Sequence, residues 1–213
     1  SESQRSADWE AAQKVQTPSV SQEASIWQVE RKDPNVLLLD FSKYKKGDSA
    51  YSELLPILAV QQILTEERYQ GPLTLQFTFE AEDAPDRAWL ALEDPDACEI
   101  RVNGREVQGQ RSGYFWDKSF EKIHLFGLLQ QGRNEIEITR AFEPLEHPSF
   151  FLAQLFQNLS GVELEPAYII GDFGVIGEQE QTKANIVRFK PNFKLTTEKK
   201  EVGRELTSEG YPF

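Results

Sequence analysis

The chain has 213 residues, a formal net charge of −12 and a single cysteine, Cys98. One β-sandwich domain with extensions, or two small domains, fits this length, and either buries a sizeable core without metals or cross-links. One cysteine excludes an internal disulfide framework, which suits a reducing compartment and equally a disulfide-free secreted protein. The acidic balance repels nucleic acid and anionic membrane, so no nucleic acid and no membrane are expected as partners.

The charge is unevenly placed. Residues 178–213 carry seven Lys and Arg against six Asp and Glu, so the acidity belongs to residues 1–177. No apolar run is long enough to span a bilayer, and the polar N-terminus lacks the hydrophobic core of a secretory signal. With no methionine anywhere, the chain reads as a piece of a longer protein. A secreted, periplasmic or cytoplasmic parent is equally compatible with it.

Residues 1–25 read as a polar arm or linker, in which 9–15 has the composition of a short helix. The body is expected from 26 to 180, and 181–213 as an extension towards a following domain. Trp27 and Val29 share one face of an extended segment, and Asp33-Pro34 marks a turn. Residues 36–41 (VLLLDF) have the apolar density of a buried strand, and 43–52 reads as a polar loop. In 54–64 the apolar residues fall at helical spacing, with Pro56 suited to a first turn.

Leu73, Leu75, Phe77 and Phe79 alternate with Thr74, Gln76 and Thr78, the pattern of a half-buried strand. Ala88, Leu90 and Leu92 predict another. Ile100 and Val102 lead into Asn103-Gly104, a type I′ hairpin signal because both residues tolerate positive φ. An aromatic loop at 111–118 follows, then strands around Phe120, Ile123 and Leu125 and around Ile136 and Ile138. Residues 150–159 have helical character. Residues 168–175 (YIIGDFGV) read as a buried strand entering a glycine turn, with short strands at 186–189 and 193–195. Eight or nine short strands separated by turn signals predict an all-β sandwich or jelly roll with one or two short helices.

In order and spacing, several of these pieces resemble the sugar-binding β-sandwich of glycoside hydrolase family 2 and related rhamnosidase-like bacterial enzymes. They are NVLLLDF at 35–41, YQGPLTLQFTF at 69–79, EDPDACEIRVNG at 93–104 and WDKSF at 116–120. LLQQGRNEIEI at 128–138, YIIGDFGV at 168–175 and EGYPF at 209–213 complete the set. The resemblance spans roughly residues 26–213. It implies a galactose-binding-like jelly roll that serves a neighbouring catalytic domain of the same polypeptide as a non-catalytic module, or lends it a loop. The segment FFLAQLF at 150–156 has no counterpart in a minimal jelly roll.

Two constellations carry candidate chemistry. Arg111, Tyr114, Trp116, Asp117 and Lys118 bring stacking rings together with donors and acceptors, the combination that meets the C–H faces and hydroxyls of carbohydrate. The competing reading makes Trp116 and Phe120 a plug for the open end of the sandwich and Asp117 a turn cap. Glu93, Asp94 and Asp96 flank Pro95. Clustered carboxylates can hold calcium, and the resemblance allows a structural calcium, but a solvated acidic turn accounts for them better.

Other groups lead nowhere by spacing. His124 and His147 form no zinc or Cys–His pattern with Cys98. Gly171-Asp172-Phe173-Gly174 lacks every other kinase motif and reads as a turn. Glu99, Glu135 and Glu137 read as the outward side of strands rather than a catalytic pair. Three functions follow: an accessory domain of a glycoside hydrolase, an autonomous carbohydrate-binding module, or a docking domain that meets no sugar.

Overall fold

The computed structural model describes residues 33–107, 110–145, 161–176, 179–181, 187–189 and 194–197. The polar arm, the extended segment at Trp27 and Val29, the expected helix at 150–159 and His147 lie outside these residues.

Two sheets pack face to face as an all-β sandwich. The smaller has five strands in the order β1–β11–β5–β9–β8. These are Asn35–Leu39 (β1), Ala88–Glu93 (β5), Arg111–Phe115 (β8), Asp117–His124 (β9) and Ala167–Gly171 (β11). The larger runs β12–β15–β4–β10–β6–β7, with β2 also paired to β4 and β3 to β2. Its members are Phe41–Lys46 (β2), Leu55–Pro56 (β3), Gly71–Ala81 (β4), Cys98–Val102 (β6) and Arg105–Glu106 (β7), with Gly132–Phe142 (β10), Gly174–Ile176 (β12) and Lys194–Thr196 (β15). Gln179–Gln181 (β13) and Val187–Phe189 (β14) pair separately as a two-stranded ribbon.

Period-two alternation decides which side chains meet between the sheets. Leu37 and Leu39 of β1, Ala88, Leu90 and Leu92 of β5, Ile123 of β9 and Ile169 of β11 point inward. They meet Leu73, Leu75, Phe77 and Phe79 of β4, Ile100 and Val102 of β6, and Ile136 and Ile138 of β10 in one core. Each such Leu, Ile, Val or Phe side chain contributes about 1.5–3 kcal/mol when fully removed from water.

The helix expected after Leu54 is Ile57–Glu66 (α1), preceded by Pro56 in extended conformation at φ −60°. Ile57, Val60 and Leu64 share its buried face. The Asn103-Gly104 turn has φ values of +50° and +75°, as a type I′ hairpin requires.

Two expectations are corrected. The polar loop at 43–52 is strand as far as Lys46: Lys43 to Lys46 pair with Gln76 to Leu73 of β4. Ser42 is buried and Tyr44 packs on the core, so the alternation is real, and outward lysines disguise it. Secondly, β4 is buried on both faces at its centre rather than half-buried. Thr74 and Gln76 are 7% and 9% exposed, and Thr74 Oγ1 lies 2.9 Å from Thr139 Oγ1.

One long edge of β4 is shared. Leu73 to Gln76 pair with antiparallel β2, while Glu80 and Ala81 pair with parallel β15. β15 lies within the segment expected as an extension, yet it belongs to the larger sheet.

Candidate functional site

The expected aromatic loop is a β-hairpin. Arg111 pairs with Ile123, Tyr114 with Glu121 and Phe115 with Asp117, with register shifts between these pairs. Gly113, at φ +71°, falls where β8 carries an extra residue. On β9 three residues lie between Asp117 and Glu121. Irregularities of this kind bend a hairpin and re-aim its side chains. They also break the period-two pattern, which is why the segment does not read as strand.

Trp116 occupies the tip. It is 93% exposed and sits at φ +58°, the left-handed region that bulky residues rarely enter. Its ring stacks on Phe115, with centroids 5.5 Å apart and planes 27° from parallel. Phe115 and Phe120 in turn contact Tyr168 of β11, at 5.6 and 5.7 Å. Trp116 therefore does not plug the sandwich. Phe115 and Phe120 cover part of the smaller sheet's outer face, and Trp116 projects beyond them.

Asp117 accepts hydrogen bonds from the Ser119 N–H at 2.9 Å and the Ser119 hydroxyl at 3.1 Å. The backbone bond from Ser119, then that from its hydroxyl, holds the Asp117 carboxyl below the ordinary aspartate value. It is a turn cap, as the competing reading has it. Tyr114 is 54% exposed, and Lys118 is exposed. Arg111 is drawn into ion pairs. It donates to Glu121 at 2.8 Å and pairs closely with Asp96, tying the hairpin to the 3-10 turn Pro95–Ala97. Of the five candidates, Tyr114, Trp116 and Lys118 are open to a ligand, and Arg111 and Asp117 hold the hairpin's shape.

The acidic turn is not gathered around one point. Asp94 takes the left-handed conformation and pairs with Arg140 at 3.4 Å, Asp96 pairs with Arg111, and Glu93 lies at the end of β5. Among the described residues, no group of three or more His, Cys, Asp and Glu side chains is arranged to hold a metal ion.

An aromatic group that sequence reasoning missed extends this face. Trp89 of β5 lies 6.0 Å from His124 and 5.5 Å from Phe126, edge to face, and those two rings are 4.6 Å apart. Lys122 Nζ and the Arg87 guanidinium lie over the Trp89 ring at 5.7 and 5.6 Å. The signal was present: Trp89 falls between inward Ala88 and Leu90, so period two points it outward.

The fold thus defines an all-β sandwich with an exposed aromatic hairpin. No family model and no curated protein matches the chain. Among solved structures it is similar to a β-D-glucuronidase from Dictyoglomus thermophilum, at 16% identity and a TM-score of 0.40, covering 79% of this chain and 44% of that one. It is also similar to a β-glucuronidase from Ruminococcus gnavus (13% identity, TM-score 0.41, 72% and 33% covered). A GH2 β-galacturonidase from Eisenbergiella tayi shows 12% identity and a TM-score of 0.41, with 76% and 29% covered. The chain spans less than half the length of each. Likeness at this level carries no argument about activity.

Proposed function

We propose that this chain is a non-catalytic β-sandwich accessory domain of a larger glycoside hydrolase, contacting carbohydrate through the tip of the β8–β9 hairpin. The observation that carries the proposal is Trp116, held 93% exposed at a positive φ. A left-handed backbone costs about 1–2 kcal/mol for a residue with a Cβ. An exposed indole forgoes its burial energy as well. Strain of this kind persists where the surroundings over-determine it, and it concentrates at ligand-binding positions. The flat indole suits the C–H face of a sugar ring, and Tyr114 and Lys118 beside it supply hydroxyl and ammonium donors.

Titration of the chain with mono- and oligosaccharides, followed by tryptophan fluorescence, tests this. A saturable change that disappears in Trp116→Ala supports it. No response to any sugar, in either protein, refutes it. Hydrolysis of aryl-glycosides by this chain alone refutes the non-catalytic part.

A specific observation also favours the docking reading. Leu38, registered beside Tyr168, and Phe126, packed against Trp89, are 45% and 42% exposed. An apolar surface of this kind suits contact with a neighbouring catalytic domain. A null sugar titration would leave that reading standing.

A further inference from the structure

The larger sheet carries a second surface with different chemistry. On its outer face, register aligns polar residues in rungs across four strands. Lys45 of β2, Thr74 of β4, Thr139 of β10 and Glu99 of β6 form one rung. Lys43, Gln76, Glu137 and Arg101 form the next. In the first rung the two central residues are short threonines, while Lys45 and Glu99 on the flanking strands are long. Short residues between long ones make a groove.

The groove is a cavity of about 340 Å³, open to solvent, and Lys45, Thr74, Thr139, Glu99, Arg101 and Glu137 are among its lining residues. At a strand spacing of about 4.8 Å, β2 to β6 spans about 14 Å.

Its side chains are held in place. Thr74 and Thr139 hydrogen-bond to each other at 2.9 Å across the floor. Arg101 donates to Glu99 at 2.9 Å from Nε and lies 2.7 Å from it through Nη2. The Tyr51 hydroxyl donates to Glu137, and Lys45 Nζ lies 5.1 Å from the centre of the Tyr51 ring. Gly47 N–H donates to Pro72 O at 2.8 Å, fixing the turn that ends the groove on the β2 side. Groups fixed before binding lose little conformational entropy when a ligand arrives.

We infer that this groove binds a neutral polyhydroxylated chain, an oligosaccharide, at a site separate from the hairpin tip. Two features select that class. Lys45 and Arg101 supply donors, Glu99 and Glu137 acceptors, and the Thr139 hydroxyl both, which is what a run of sugar hydroxyls pairs with. The charged lining also mixes signs, with Lys45 and Arg101 facing Asp48, Glu99 and Glu137. A strongly anionic or cationic ligand therefore meets its own sign somewhere along the groove, whereas a neutral one does not.

The test is amide chemical-shift mapping on the whole chain with β-linked gluco-, xylo-, manno- and galacto-pentasaccharides, beside an anionic oligouronate and a cationic oligoglucosamine. Binding of a neutral chain is expected to shift the amides of Lys45, Thr74, Arg101 and Thr139 together along one saturation curve. Arg101→Ala and Glu99→Gln, both at exposed positions, are expected to weaken it at least tenfold, with Trp116→Ala leaving it unchanged. Shifts confined to residues 114–118 would support the hairpin proposal and overturn this one. Absence of shifts from the groove, unchanged affinity in both groove variants, or preference for either charged chain would also overturn it.

Discussion

Asn134 is fully buried, and its side chain makes four hydrogen bonds. Its Nδ2 donates to Gln130 O at 2.7 Å and Gly132 O at 3.1 Å. Its Oδ1 accepts from Gln130 N at 2.9 Å and from Asn103 Nδ2 at 3.0 Å. Asn103 also donates to Leu128 O at 2.8 Å and accepts from Glu135 N at 2.9 Å. Two asparagines thus fasten the 125–131 connection to the type I′ turn and to β10. Asn134→Ala removes four bonds at about 0.5–1.5 kcal/mol each, a loss of about 2–6 kcal/mol, with the Gln130 amide and carbonyl among the groups left to find new partners. At about 1–3 kcal/mol/M in urea, the unfolding midpoint is expected to fall by at least about 0.7 M with an unchanged slope. Asn103→Ala combined with Asn134→Ala should cost less than the sum of the two, because they share a bond. A loss below about 1 kcal/mol for Asn134→Ala, or strict additivity, would refute the claim that this pair organises the connection.

Gly171→Ala places a Cβ 2.7 Å from Arg87 O and 3.0 Å from the Phe173 ring, and the backbone contact cannot yield cheaply. It is expected to destabilise by about 1–3 kcal/mol, read by urea unfolding. Burial raises the Cys98 thiol pKa, with Arg140 opposing and Asp94 reinforcing. Alkylation near neutral pH should therefore be slow in the folded chain and fast in urea. Burial first, then the like charges of Glu163 and Glu93, raise the Glu165 carboxyl above its ordinary value. The stability from its neutral form is complete below about pH 4.3, the unfolded value, and is lost as pH rises through the raised folded value. Glu165→Gln is thus expected to raise the melting temperature at neutral pH and leave it unchanged in acid.

Much of the fold was legible because period two survives wherever one strand face is apolar, as in β4, β5 and the middle of β10. The Asn103-Gly104 turn and the helix after Pro56 were equally plain, since each rests on local backbone chemistry. β2 was hidden because its outward residues are lysines, which resemble a loop in composition. The hairpin was hidden for another reason: Gly113 and the residues around Ser119 interrupt the alternation. Sequence could nominate Arg111 and Trp116 together, but only the fold separates them, sending one to ion pairs and the other to solvent. The polar groove depends on register across four strands that are distant in the chain, and no local window contains it.

The divided edge of β4 has a consequence for handling the protein. β2 guards one stretch and β15 the other, and both must be present for the sheet to end in a finished margin. A chain shortened before Lys194 would lose the buried Leu195, leave β12 without its partner in the sheet and bare the backbone of Glu80 and Ala81, a short template for pairing with another molecule. Such a shortened chain should be less stable and should self-associate with rising concentration. An aspartate or proline introduced into that short stretch would be the natural remedy.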